Sequence, residues 1–261
     1  MKNIFVCLAV VLLFLGCTKE ENVETKREVL RIGTDATYPP FETVDTETGE
    51  PAGFDIDLIK EICKENKWKP EIIVTPFDGI IPGLKNKKYD VVISAMTITP
   101  ERSVAVSFSD PYYFAGQILA VNIDNQDIHS IDDVKGKRVG VQLGTTGEIM
   151  AKKMEGLQVF SFDNIGAAFI DMENGNLDAV LNDLPTTQTY IKQHASAKMV
   201  GEILSSEYYG IAVRQSDTAL LSDINTALTK IKSDNRYNDL HMKWFNISPK
   251  GAAIELDSSG Q

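Results

Sequence analysis

Apolar residues recur along this chain with two alternating periods. The runs VLRIGTD, PEIIVTP, DVVISAM, ILAVNI, KRVGVQLG, QVFSF, LDAVLND, KMVGE and YYGIAV are short and rich in β-branched or aromatic residues, so they predict strands. Between them the period lengthens. In FDIDLIKEICKENK, Phe54, Leu58, Ile59 and Ile62 fall on one helical face. DGIIPGLKNKK predicts a short helix with Asp78 as its N-cap. Helical stretches follow near residues 146–154, 165–175 and 185–193, and TALLSDINTALTKIKSD and RYNDLHMKWF predict two more. This alternation of strand and helix predicts an α/β protein with mostly parallel sheets, in one domain or two.

The start of the chain breaks the pattern. Lys2 is followed by an apolar run from Ile4 to Leu15. The run is too short to span a bilayer and suits the core of a signal peptide, predicted over residues 1–16. Gly16 and Cys17 come next, and the segment resembles a bacterial lipobox, although Phe14 stands where that pattern usually has Leu. The resemblance implies that Cys17 is lipidated and holds the protein to a bacterial membrane, each buried methylene contributing roughly 0.8 kcal/mol. Residues 17–29 then read as a tether, because TKEENVETKRE is charged and lacks apolar periodicity.

Composition narrows the partners. A formal net charge of −11 leaves no excess of Lys and Arg to replace the counterions of nucleic acid, so none is expected to bind. Cys7 lies in the signal core, which leaves Cys63 as the one cysteine after Cys17. No disulfide framework is then expected, and Cys63, beside Ile59 and Ile62, reads as a buried thiol. His129, His194 and His241 lack metal-ligand spacing and read as surface or packing residues. No second apolar run reaches membrane length.

Chemistry concentrates at predicted strand ends, where open α/β sheets place ligands. SAMTITPERS follows the DVVIS strand. There Thr99 and Pro100 suit a helix start, and Arg102 on that turn can grip a carboxylate bidentately or pair with a surface acid such as Asp110. Thr97 and the backbone of Ala95 could add polar contacts. GVQLGTTGE puts Gly144, Thr145 and Glu148 in the pattern of a capping box, whose free amides attract an anion. The same residues also suit an ordinary capped helix. Asp183 closes LDAVLND and can hold an ammonium or cap the helix that follows. Asp35 closes the first strand ahead of Tyr38 and Phe41, which can pack a ligand or the core.

GTDATYPPFE, GFDIDLIKEI, FDGIIPGL, YDVVISAMTITPERSVAVSFSDPYY and GKRVGVQLGTTGE, in this order and spacing, resemble the polar amino-acid binding proteins of bacterial ABC importers. The likeness runs from about residue 29 to about 246. It implies a two-lobed fold of the periplasmic-binding-protein type, closing on its ligand about two hinge crossings. One lobe would comprise residues 30–116 and 209–248, the other 117–208, with 249–261 as a tail. The crossings would fall near Phe114–Gln117 and Glu207–Gly210. The resemblance also implies a monomer that meets a transporter permease and uses no cofactor. Site roles follow residue by residue. Arg102 would hold the ligand carboxylate, helped by the amides of Thr97 and Thr146. Asp183, the Ala95 carbonyl and the Thr97 hydroxyl would hold the ammonium. Tyr38 and Phe77 would flank the ligand side chain, with Phe77 where many relatives have Trp. Asp35, Ser94 and Gln142 would line its far end, and Met96, Gly144 and Thr145 complete the set.

The ligand implied is a polar L-amino acid: arginine, lysine, histidine, ornithine or glutamine. Asp35 favours the cationic members, since an acidic side chain would face it without a cation. An enzyme on the same scaffold, a dehydratase acting on prephenate-like substrates, would need a general acid, for which Asp35 or Glu42 could serve. The Arg102/Asp183 pair favours binding without turnover. A sensor would need a membrane helix and a signalling domain, which these 261 residues do not display.

Overall fold

A computed structural model describes residues 27–249, so the expected signal peptide, Cys17, most of the tether and nearly all of the tail lie outside the described residues. The first half of the chain runs β1 (Val29–Thr34), a separate hairpin of β2 (Thr43–Val44) and β3 (Pro51–Ala52), α1 (Phe54–Asn66) and β4 (Lys69–Val74). Next come α2 (Ile80–Lys85), β5 (Val91–Val92), α3 (Pro100–Ser103) and β6 (Ser107–Phe108). The chain then crosses through β7 (Tyr113–Ala115) into a second sheet. That half runs β8 (Gln117–Asn122), β9 (Arg138–Gln142), α4 (Thr146–Lys153), β10 (Gln158–Phe162), α5 (Ile165–Glu173), β11 (Ala179–Asp183), α6 (Leu184–His194) and β12 (Ala197–Val200). It returns through β13 (Glu207–Tyr209) to β14 (Ala212–Val213), α7 (Thr218–Ser233) and α8 (Arg236–Phe245).

Two five-stranded sheets result, ordered β4-β1-β5-β14-β6 and β10-β9-β11-β8-β12, and each anchors one lobe. The expectation of mostly parallel sheets needs correction. β1 pairs parallel with β4 and β5, and β9 with β10 and β11. β14 and β8 instead run antiparallel to both of their neighbours. They follow the two crossings, so they enter their sheets from the hinge side, against the strands built by crossover helices. The crossings pair with each other, Tyr113–Ala115 against Glu207–Tyr209, as a two-stranded antiparallel ribbon.

Helix α1 buries the expected face, with Phe54, Leu58, Ile59 and Ile62 all fully covered. Cys63 is buried beside them, and burial pushes its thiol up to about 12, which makes it inert. His241 is a packing residue in an aromatic cluster, its ring 5.2 Å from Phe54 and 5.4 Å from Tyr113, and burial pulls its pKa down to about 4. Three local readings change. Asp78 does not cap α2: a tight turn over Phe77–Gly79 precedes the helix, and Gly79 occupies the cap without a side-chain bond. YYGIAV is two strands, divided where the Gly210 amide turns aside to donate to the Met96 carbonyl. β1 begins at Val29, as the VLRIGTD run predicts, so the tether bound of 17–29 is one residue too long: Val29 already pairs with Lys69.

Candidate functional site

The C-terminal ends of β1, β5, β9 and β11 meet at a narrow, closely packed cavity between the two sheets. Asp35, Tyr38, Phe77, Ser94, Ala95, Thr97 and Arg102 line it from the first sheet's side, Gln142, Thr145, Thr146 and Asp183 from the second's. Eleven of the thirteen expected ligand residues are therefore brought together. Two are not in the lining. The Met96 side chain is fully buried and packs in the core with Ile80, Leu84 and Tyr89. The backbone turns at Ala95 (φ +43°), which aims the next side chain inward. Gly144 sits just behind the cavity at φ +78°, where a Cβ would come within 3.2 Å of the Asp78 Cα. It contributes its carbonyl.

At one end stands Arg102. Thr99 caps its short helix by accepting from the Arg102 amide at 3.2 Å, with Pro100 at the first turn. The guanidinium donates to the Thr97 carbonyl at 2.7 Å and, across the cleft, to the Gly144 carbonyl at 3.0 Å. It also lies over the Phe77 ring, 5.3 Å from the centroid. Asp110 is not among the charges that act on Arg102, which are led by Asp183 and Glu207. Thr145 caps α4, accepting from the Glu148 amide at 3.2 Å. The expected capping box is displaced by one residue, because the Glu148 carboxylate reaches back to the Gly144 amide at 2.8 Å.

Asp183 does not cap α6. Its two oxygens instead accept from the Gln117 amide and the Tyr209 hydroxyl. Burial, then the negative charge of Glu207, pushes its carboxyl up to about 7. Tyr38 lines the cavity and donates across the cleft to Asn182 at 2.6 Å, whereas Phe41 belongs to the core, edge-on to Tyr113 at 4.8 Å.

The far end is acidic and buried. Asp35 accepts from Gln142 across the cleft at 2.8 Å and from Thr37 at 2.8 Å, and burial raises its pKa. Ser94 accepts from the Asp35 amide at 3.0 Å and donates to Glu42 at 2.8 Å. Glu42 also lines the cavity. Behind it Asp55 accepts from the Ala95 amide and the Tyr112 hydroxyl, each at 2.7 Å. Burial and the charge of Asp55 push Glu42 well above the ordinary carboxylate range, and burial pushes Asp55 to about 6. The donors on Asp55 favour its charged form, and that charge together with burial favours the protonated form of Glu42. Sequence reading weighed Glu42 only as an enzyme's acid. Gln117, Asn182, Glu207 and Tyr209 were given no site role, since the bond that ties each to the site spans at least 26 residues. Among the described residues, no group of His, Cys, Asp and Glu could hold a metal ion, and no helix is long and apolar enough to cross a membrane.

Residues 30–247 match the family model of bacterial extracellular solute-binding proteins, family 3. ABC transporter arginine-binding protein 1 of Escherichia coli (strain K12) is 39% identical over 225 residues, covering 84% of this chain and 91% of that protein. The solved structure of an ancestral arginine-binding protein bound to arginine superposes with a TM-score of 0.81 at 48% identity, covering 84% of this chain and 99% of the other. An ancestral arginine-binding protein bound to glutamine gives the same TM-score of 0.81 and 48% identity, with coverage of 85% and 99%.

Proposed function

The chain belongs to the bacterial extracellular solute-binding proteins, family 3, and from that membership we propose that it binds a basic L-amino acid, arginine foremost, between its lobes. The observation that carries this reading is the polarity of the cavity: Arg102 at one end, Asp183 beside it, and the buried acids Asp35 and Glu42 at the other. Arg102 takes the α-carboxylate, exchanging the Gly144 carbonyl for a bidentate partner. Asp183 takes the α-ammonium. Phe77 and Tyr38 flank the aliphatic stem. Asp35, with Ser94 and Gln142 around it, takes the distal cation, and Glu42 supplies a second oxygen pair once its proton is lost. Each charge-assisted bond contributes roughly 1.5–3 kcal/mol net, so a few suffice for micromolar or tighter affinity. The name of the E. coli relative and the arginine-bound ancestral structure support the choice of ligand.

Delivery to an ABC importer completes the proposal. A ligand that touches both lobes shifts the hinge population toward closure, and a permease can read that shape. Cys17 is proposed to carry the anchor that keeps the protein at an extracytoplasmic membrane surface. The dehydratase reading is the weaker one. The protonated form of Glu42 is favoured, as a general acid needs, but the Arg102/Asp183 pair suits an intact zwitterion.

A thermal-shift screen of the twenty amino acids and ornithine, on protein stripped of co-purified ligand, tests the reading. Saturation at 100 times Kd stabilises by about 2.7 kcal/mol. Arginine is expected to give the largest shift, lysine and ornithine smaller ones, and aspartate and glutamate none. A screen in which no amino acid raises the melting temperature, or in which an acidic one wins, overturns it.

A further inference from the structure

We infer that Glu207, a hinge residue outside the cavity wall, is a positioning residue that makes the site tell the ammonium end of a zwitterion from its carboxylate end. The inference rests on the amino-acid reading above. Glu207 opens β13, and it is 7% exposed. One of its oxygens accepts from the Thr97 hydroxyl at 2.6 Å and from the Thr146 hydroxyl at 2.8 Å. The other accepts from the Ser205 hydroxyl at 2.8 Å, and Ser205 in turn accepts from the Gln117 amide at 3.0 Å. Thr97 reaches Glu207 from the first sheet's side, Thr146 from the start of α4 on the second's.

A threonine hydroxyl has one hydrogen and two lone pairs. A carboxylate only accepts, so it fixes where each hydrogen points. With its hydrogen on Glu207, Thr97 offers the cavity lone pairs alone. The Thr97 carbonyl is already taken by Arg102. An unconstrained hydroxyl can rotate to donate to a carboxylate or to accept from an ammonium. Held by Glu207, it serves the ammonium only, next to Asp183. A carboxylate placed there would meet acceptors and no donor, a repulsive arrangement that contributes specificity as much as any attraction does. Arg102 then has no competitor for the carboxylate, and the ligand has one orientation.

The test uses the full chain, stripped of ligand, and calorimetric competition with L-arginine and with 5-guanidinopentanoate, which is arginine without its α-ammonium. Glu207→Gln is expected to weaken arginine by about tenfold or more and the analogue much less. In a Thr97→Val background, where no hydroxyl remains to be oriented, the Glu207→Gln loss is expected to shrink. A purely architectural role at the hinge predicts equal losses for both ligands and losses that multiply with Thr97→Val; either result overturns the inference. Should Glu207→Gln melt too low to assay, Glu207→Asp, with the charge kept on a shorter stem, is expected to show the same ligand-selective loss at smaller size, and equal losses or none overturn the inference. A wild type that binds no amino acid defeats the functional reading instead. A wild type that binds arginine, with a Glu207→Gln variant that binds it equally, removes only the role of Glu207.

Discussion

Asp183 shows how much a single carboxyl can reveal about the site around it. Burial first and then Glu207 push its pKa up to about 7. Between about pH 4 and 7 the folded protein keeps a proton that the unfolded chain has released, so this group's contribution to stability falls as pH rises through that window. An ammonium bound beside it needs the ionised form, so binding expels the proton. Affinity for a basic amino acid is therefore expected to tighten as pH rises from about 5 to 7, by up to about tenfold per unit, and to flatten above that. Asp35 and Glu42, which line the cavity, add in the same direction, since burial raises each of them. Calorimetry in buffers of different ionisation enthalpy measures the proton release, and an affinity without pH dependence or proton release would remove ionised Asp183 from the complex. The position of Asp183 at a strand end was legible in the sequence. Its freedom from capping was not, because Gln117 and Tyr209, which occupy its oxygens, lie 66 and 26 residues away.

The elements that carry these residues were largely readable, because amphipathic period and capping chemistry are local. α1, α4, α5, α6, α7 and α8 all fall where the apolar spacing puts them. Thr99 and Thr145 cap as their contexts suggest. Strand direction was not readable, since β8 and β14 have the composition of their parallel neighbours and differ only in arriving from the hinge. Asp78 failed as a cap for a similar reason: it looks like one locally, but the turn starting after Pro76 moves the helix start to Ile80. The cap at Thr145 offers a test at this scale. Thr145→Ala removes the acceptor of the Glu148 amide and is expected to cost about 1 kcal/mol. That lowers the melting temperature of the unliganded protein by about 2–4 °C. Thr145→Ser should melt close to wild type. If Thr145→Ala melts like wild type, the cap contributes nothing to the start of α4.

For the molecule as a whole, the two sheets were implied by family resemblance rather than by composition, because a lobe assembled from two distant stretches leaves no boundary in the sequence. In this structure polar bonds that reach across the cleft include Tyr38 to Asn182 at 2.6 Å, Gln142 to Asp35 at 2.8 Å and Arg102 to Gly144 at 3.0 Å. The first joins the two faces of the cleft directly. Tyr38→Phe is expected to speed ligand release by about 5–10-fold, one hydrogen bond's worth, while changing the association rate little. Stopped-flow fluorescence measures both, and an unchanged release rate would mean that closure does not depend on that bond. The ribbon that joins the lobes sets how they come together. Tyr113–Ala115 and Glu207–Tyr209 are bonded side by side, so the pair can bend or twist with its rungs intact, while sliding one strand along the other would break them. An occupant too bulky for the cleft stops the jaws at a wider angle, and one too small leaves nothing to grip. On the proposed function, the hinge would turn the length and charge of a bound amino acid into an angle between the lobes.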